Sequence, residues 1–246
     1  MDAAEEVAPR PAAAQPRSFI VDAGGLPLCV FEWGNAPSDR TPSIVLAHAT
    51  GFHARCWDRV SRLLPGLHVL AVDLRGHGRS GGDTLGDWRE LGADLATLAT
   101  ALSTALGVSR ALWVGHSMGG HAVTVAAAQA PAAVGRLLLL DPVIFAPEAY
   151  ERRWNPMAPP PGQRHPVARR RNRFASAEEM FDTLRPRAPF ADFDEAALRD
   201  YCRHGLRPAV DGDGLDLCCA PDFEARVYET GASNAAIHAD VRAVAV

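Results

Sequence analysis

Gly115-His116-Ser117-Met118-Gly119 sets a serine between two glycines with the spacing G-x-S-x-G. The apolar run Ala111-Leu112-Trp113-Val114 before it reads as a buried strand, and the Ala-rich residues 122–128 read as a helix stopped at Ala130-Pro131. Turning from strand to helix in so few residues crowds the backbone around Ser117, so its neighbours two positions away carry no side chain. That corner pushes the hydroxyl out at the strand's end, where a helix N-terminus stabilises developing negative charge. The implied chemistry is nucleophilic: Ser117 attacks an acyl carbon and forms an acyl-enzyme, provided a neighbouring imidazole takes its proton. A glycine-rich turn with an incidental serine has the same five residues. The strand before and the helix after separate the two readings.

Other residues have chemical potential and a plainer structural reading beside it. His48-Ala49-Thr50 and the stretch from Asp73 through Arg75-Gly76-His77-Gly78 to Ser80 each follow an aliphatic run, at 43–47 and 68–72. His48, His77 and His116 fit as braces of these loops. His121, one turn beyond Ser117, is expected to face solvent or an overlying segment and is a candidate pocket residue. Asp141 ends the run Arg136-Leu137-Leu138-Leu139-Leu140 and reads as a capping or hydrogen-bonding residue before Pro142. Arg169-Arg170-Arg171 with Arg173 suits an anionic ligand, but acidic residues at Glu178, Glu179, Asp192, Asp194 and Glu195 favour a solvated face. Asp211-Gly212-Asp213-Gly214 is too short for a calcium loop and reads as a turn. Five scattered cysteines form neither a disulfide framework nor a C-x-x-C metal pair. No metal site and no cofactor motif is expected.

The positioning elements follow from periodicity. Residues 17–22 and 27–33 read as a hairpin turning at Gly24-Gly25. Residues 35–42 form a polar loop. A short helix is expected at about 56–64, and 87–106 form a helix with a stripe at Trp88, Leu91, Leu95, Leu98 and Leu102. The aliphatic runs at 43–47, 68–72, 111–114 and 136–140 fit strands buried on both faces, and their alternation with helices implies a mostly parallel sheet with helices on both sides. From Pro142 the rhythm breaks into prolines, arginines and short helices, one opening at the capping box Ser176-Ala177-Glu178-Glu179 and one over 194–204 stopped at Gly205. The expected organisation is a disordered tail over 1–16, a core over 17–145, a helical cap or lid over 146–230, and a return to the core over 231–246, where Asp240 to Val246 begin a further strand.

A chain of 246 residues with 48% hydrophobic residues and mean hydropathy near zero forms one substantial core. Net charge is −4 and every basic residue is arginine, so there is no electrostatic case for nucleic acid or an anionic membrane. No apolar stretch approaches 18 residues, and the first 16 lack the pattern of a secretion signal. Odd, unpaired cysteines fit a reducing compartment, and the expected location is cytoplasmic.

With these three loop motifs at the ends of successive strands, the chain from about Phe19 onward resembles the α/β-hydrolase family. The resemblance implies Ser117 as nucleophile, and the backbone N–H groups of Met118 and Thr50 as oxyanion donors. Ala49 stands where the family usually has glycine. The family order is Ser, acid, His, with the acid usually after the seventh strand and the histidine after the eighth. Those positions are expected past Val246, about 30–60 residues further on. Asp141 stands where some members recruit the acid instead, and His238 falls just before the expected further strand. The implied function is a serine hydrolase of small esters or related acyl substrates, needing no cofactor and impaired in this form. The alternatives are a non-catalytic hydrolase-like protein and a lyase or peroxidase-like member. Without further strands, the sheet edge beside residues 136–140 is expected to promote self-association.

Overall fold

The structure, a computed structural model, describes residues 15–35 and 43–244. The polar loop at 35–42 and the tail at 1–16 fall largely outside the described residues. Gln15, at the tail's end, accepts a 2.8 Å hydrogen bond from Arg55.

β1 (Arg17–Asp22) and β2 (Pro27–Trp33) form the hairpin, with Asp22 opposite Pro27 and with Gly24 and Gly25 both at positive φ in the turn. β3 (Ile44–Ala47) is followed by a 3-10 turn (Ala54–Trp57) running into α1 (Asp58–Arg62). Then come β4 (Val69–Val72), α2 (Trp88–Leu106), β5 (Ala111–His116), α3 (Met118–Gln129) and β6 (Val134–Leu140). α2 starts at a capping box formed by Asp87 and Glu90 and ends at left-handed Gly107, as its sequence signals direct. The strands form one sheet in the order β1-β2-β4-β3-β5-β6, antiparallel through β2–β4 and parallel from β4 to β6.

Helices cover the two faces unequally. α2 and α3 pack on one face, where Val45, Val72, Trp113, Leu95, Leu98 and Met118 form the main core. The 3-10 turn and Leu64 cover the other face over β2, β4 and β3, with Phe31, Leu46, Ala71 and Val114 beneath. That second cover does not reach β6, where Arg136, Leu138 and Leu140 are exposed. The expectation that residues 136–140 are buried on both sides is therefore corrected. An aliphatic run fixes a strand, but burial of its second face needs a covering element.

Beyond β6 lie α4 (Pro147–Glu151), β7 (Arg173–Phe174), α5 (Ala177–Leu184), α6 (Glu195–His204), β8 (Leu206–Pro208), β9 (Leu215–Leu217) and α7 (Pro221–Glu229). Ser176 and Asp194 cap α5 and α6 as their spacing indicates. The strands form a separate three-stranded antiparallel sheet, β7-β9-β8, that two- and three-residue runs do not announce. Asp211 to Gly214 turn the chain between β8 and β9. Met180, Phe181, Leu198, Tyr201 and Leu217 build a satellite core, whereas Phe223 and Val227 of α7 join the main one.

The further strand expected from Asp240 is instead α8 (Ile237–Ala243). Ile237 is fully buried beside Val125 and Tyr150, and Asp240, three residues on, accepts a 2.8 Å hydrogen bond from Arg89. Inward residues three apart make the helix the conformation that satisfies both contacts.

Candidate active site

Ser117 sits at the corner between β5 and α3 with φ 54° and ψ −116°, a backbone conformation that costs about 1–3 kcal/mol for a residue with a side chain. Tight packing holds it there. A Cβ on Gly115 would come within 2.5 Å of Gly119 O, and one on Gly119 within 2.5 Å of Ala47 O and 2.6 Å of His48 O. Both glycines therefore let the start of α3 lie directly against the end of β3. Ser117 N–H donates to Leu140 O at 3.0 Å, and its carbonyl accepts from Val143 and His121. Its side chain is half-buried, and its Oγ has no hydrogen-bond partner among the described residues.

The loop after β3 is held through consecutive peptide groups. His48 Nδ1–H donates to Ala49 O at 2.8 Å, while its Nε2 accepts from Leu74 N–H at 2.9 Å. Phe52 N–H donates to the same Ala49 oxygen at 3.1 Å. Gly51 N–H donates to His77 Nε2 at 3.1 Å, and His77 Nδ1–H donates to Arg75 O at 2.8 Å. Among these bonds of the described residues, the Thr50 and Met118 N–H groups have no acceptor. They belong to the two segments that Gly119 lets touch.

Burial keeps the supporting imidazoles neutral. Desolvation lowers His48 well below its ordinary value, with His77 adding to the effect, and lowers His77 to about 4. Neutral rings are what the hydrogen bonds require, because each ring donates from one nitrogen and accepts at the other. Asp73 is fully buried and accepts from Ala54 N–H and Arg79 N–H, yet burial still raises it to about 6.

His121 is fully buried, not turned toward solvent or a pocket. Its Nδ1–H donates to Val143 O at 2.9 Å, its Nε2 accepts from Asn234 at 3.1 Å, and Trp88 meets it edge-on at 5.1 Å. α3 packs on α2 along the face that carries this residue, which spacing from Ser117 alone does not reveal. Asp141 is exposed, with φ 45°, and forms no hydrogen bond or ion pair with any described side chain. His238 Nε2–H donates to Phe145 O at 2.9 Å. No described histidine is hydrogen-bonded to Ser117 Oγ. Asp141 is thus not brought together with a base, whereas the corner carrying Ser117 and Met118 and the loop carrying Thr50 follow parallel neighbouring strands at the same end of the sheet.

Asp58, Asp200 and His204 bring potential ligand atoms within 4.8 Å of one another. Arg55 already binds both Asp58 oxygens, at 2.8 and 2.7 Å, and Arg62 lies 3.6 Å from Asp200. Guanidinium charge thus occupies the place a cation would take, and the trio reads as a polar junction between α1 and α6. Three of the four arginines of the run pair with neighbours: Arg171 with Glu179, Arg173 with Asp211 and Asp216, and Arg170 with Glu224.

The sequence profile of the alpha/beta hydrolase family matches residues 44–239. An esterase of Mycobacterium tuberculosis is 34% identical over 200 residues, covering 78% of this chain and 60% of the relative. A monoacylglycerol lipase of Mycolicibacterium smegmatis is 33% identical over 127 residues, covering 50% of this chain and 45% of its own. A non-heme chloroperoxidase of Streptomyces lividans is 34% identical over 128 residues, covering 50% and 44%. Among solved structures, an E-2-(acetamidomethylene)succinate hydrolase superposes with a TM-score of 0.69 at 25% identity, over 94% of this chain and 78% of the other. The chain spans about 37–60% of the length of these curated relatives and of a mycobacterial lipase.

Proposed function

Because the chain belongs to the alpha/beta hydrolase family, we propose that it carries the nucleophile and oxyanion hole of a serine hydrolase acting on small esters or related acyl substrates. The observation that supports this most is the strained corner at Ser117 beside two free amides, Thr50 and Met118, on segments in contact. Ser117 Oγ attacks the acyl carbon, and the carbonyl oxygen becomes an oxyanion held by the two N–H groups. One such donor is worth about 3 kcal/mol of barrier. Collapse of the tetrahedral intermediate breaks the bond to the alcohol oxygen, which takes up the proton given up by Ser117 Oγ, and leaves an acyl-enzyme that water hydrolyses. The segment over 146–230 serves as a cap over this end of the sheet.

The proton on Oγ is the weak point. With no described histidine bonded to it, residues 1–246 alone turn over slowly, on the residual catalysis that an oxyanion hole and binding provide without a base. This same observation favours the second reading, a non-catalytic hydrolase-like chain. The two separate on an activated ester. Slow p-nitrophenyl acetate turnover and fluorophosphonate labelling, both abolished by Ser117→Ala, support the hydrolase. Turnover unchanged by that substitution removes Ser117 from the chemistry. A relative named chloroperoxidase makes halide-dependent oxidation worth including in the substrate panel. The working partner is a small-molecule substrate in the cytoplasm, with no nucleic acid or membrane involved. β6 pairs with β5 alone among the described strands, and this unpaired edge beside the exposed Leu138 and Leu140 (49% and 39%) would drive self-association.

A further inference from the structure

We propose that Tyr201 is a positioning residue that couples the cap to the oxyanion hole by fixing the peptide groups around Thr50. This rests on the reading of Thr50 as an oxyanion donor. A peptide group is planar, so holding a carbonyl oxygen also aims the N–H of the following residue. The Ala49 carbonyl, held by His48 Nδ1–H and Phe52 N–H, therefore aims Thr50 N–H. The next peptide group is held at Gly51 N–H by His77. The third is held at Gly51 O by the Tyr201 hydroxyl, which donates to it at 3.3 Å. Two anchors come from the core loops and the third comes from α6.

Tyr201 is held in its turn. Arg170 donates to the Tyr201 oxygen at 3.1 Å and to Glu224 Oε2 at 2.6 Å, so the tyrosine's own proton is directed to Gly51 O. Its ring stacks on His53 at 5.7 Å, and its carbonyl accepts from His53 Nε2–H at 3.0 Å. Glu224 closes the last side, because a Cβ on Gly51 (φ 75°) would lie 2.4 Å from Glu224 Oε1. Buried, hydrogen-bonded ion pairs contribute little net stability but fix geometry strongly. Here they fix the residue after an oxyanion donor.

The test compares the full chain with Tyr201→Phe, Glu224→Gln and Ser117→Ala. The readouts are p-nitrophenyl acetate kinetics, thermal melting, and amide exchange at Thr50 and Gly51 by NMR. Tyr201→Phe keeps the ring contacts and is expected to lower kcat about tenfold, less than outright loss of a donor. KM should stay within about twofold, with faster exchange at both amides. Glu224→Gln loosens Arg170 and is expected to give a smaller loss in the same direction, and it decides the matter should the first variant not fold. Unchanged kcat and unchanged exchange in a folded variant overturn the proposal, as does a lower melting temperature with neither of those altered. Should Ser117→Ala leave turnover intact, the hydrolase reading fails by itself, and the exchange data still decide whether Tyr201 orders the loop.

Discussion

At the centre of the sheet, β3 lies between β4 and β5 and every residue from Ile44 to Ala47 is buried. At its margin, β6 pairs only with β5 among the described strands, and alternate residues Arg136, Leu138 and Leu140 face solvent. Both are short aliphatic runs with the same intrinsic preference for strand. What differs is the neighbourhood: β3 has partners on both edges and cover on both faces, and β6 has one of each. The candidate site follows the same division, since the loop after β3 carries Thr50 and the buried His48, His53 and His77 brace it. The candidate site thus lies where backbone and side chains are most constrained, which is where an N–H direction can be fixed in advance.

Acid should expose this contrast most strongly. His48, His53, His77 and His204 are all lowered, first by burial, with His53 at about 3 and His77 and His204 at about 4. A ring whose folded value is depressed takes up its proton on unfolding, so stability is lost as pH falls from about 6.5 toward 4. Each such ring contributes a slope of about 1.4 kcal/mol per pH unit. Asp73, raised to about 6, and Asp94, Asp200 and Glu224, also raised by burial, work in the opposite direction at lower pH, whereas His121 and His165 are lowered and add to the loss. The urea midpoint should fall steeply between pH 7 and pH 5. A flat or rising midpoint would show that these rings are charged or exposed.

Truncating side chains sharpens the comparison on a smaller scale. Leu46→Ala, beneath the 3-10 turn, should cost about 2–5 kcal/mol in denaturant melts. Leu138→Ala should cost less than about 0.5 kcal/mol. Equal losses at the two positions would mean that β6 is covered in solution. The smallest effect on stability is expected for Leu138→Lys with Leu140→Lys, which should nevertheless shift light scattering toward the monomer. Unaltered association would place the contact elsewhere.

The sequence carried the strand-to-helix corner at Ser117 and the caps of α5 and α6, because each depends on residues a few positions apart. Gly115 and Gly119 are legible as glycines that crowding demands, and the structure supplies the atoms they would strike, Gly119 O and Ala47 O. His121 was misplaced because its burial comes from α2 and Asn234, which lie remote in the chain. The small sheet β7-β9-β8 was missed because its strands are too short for a periodic signal. The strand expected from Asp240 is a helix as far as Ala243 because Ile237 and Asp240 find their partners on remote segments, Val125 of α3, Tyr150 of α4 and Arg89 of α2.

By itself, then, the sequence determined the strand-to-helix turn at Ser117, the hairpin, the order of aliphatic strands and the family they imply. Only the tertiary structure decided which face of each strand is covered, where His121 and Asp141 point, and that Tyr201 reaches Gly51 from 150 residues away. The reason is physical: backbone preferences and steric crowding act between near neighbours. Burial, protonation and the aim of a hydrogen bond are set by whatever the folded chain brings alongside.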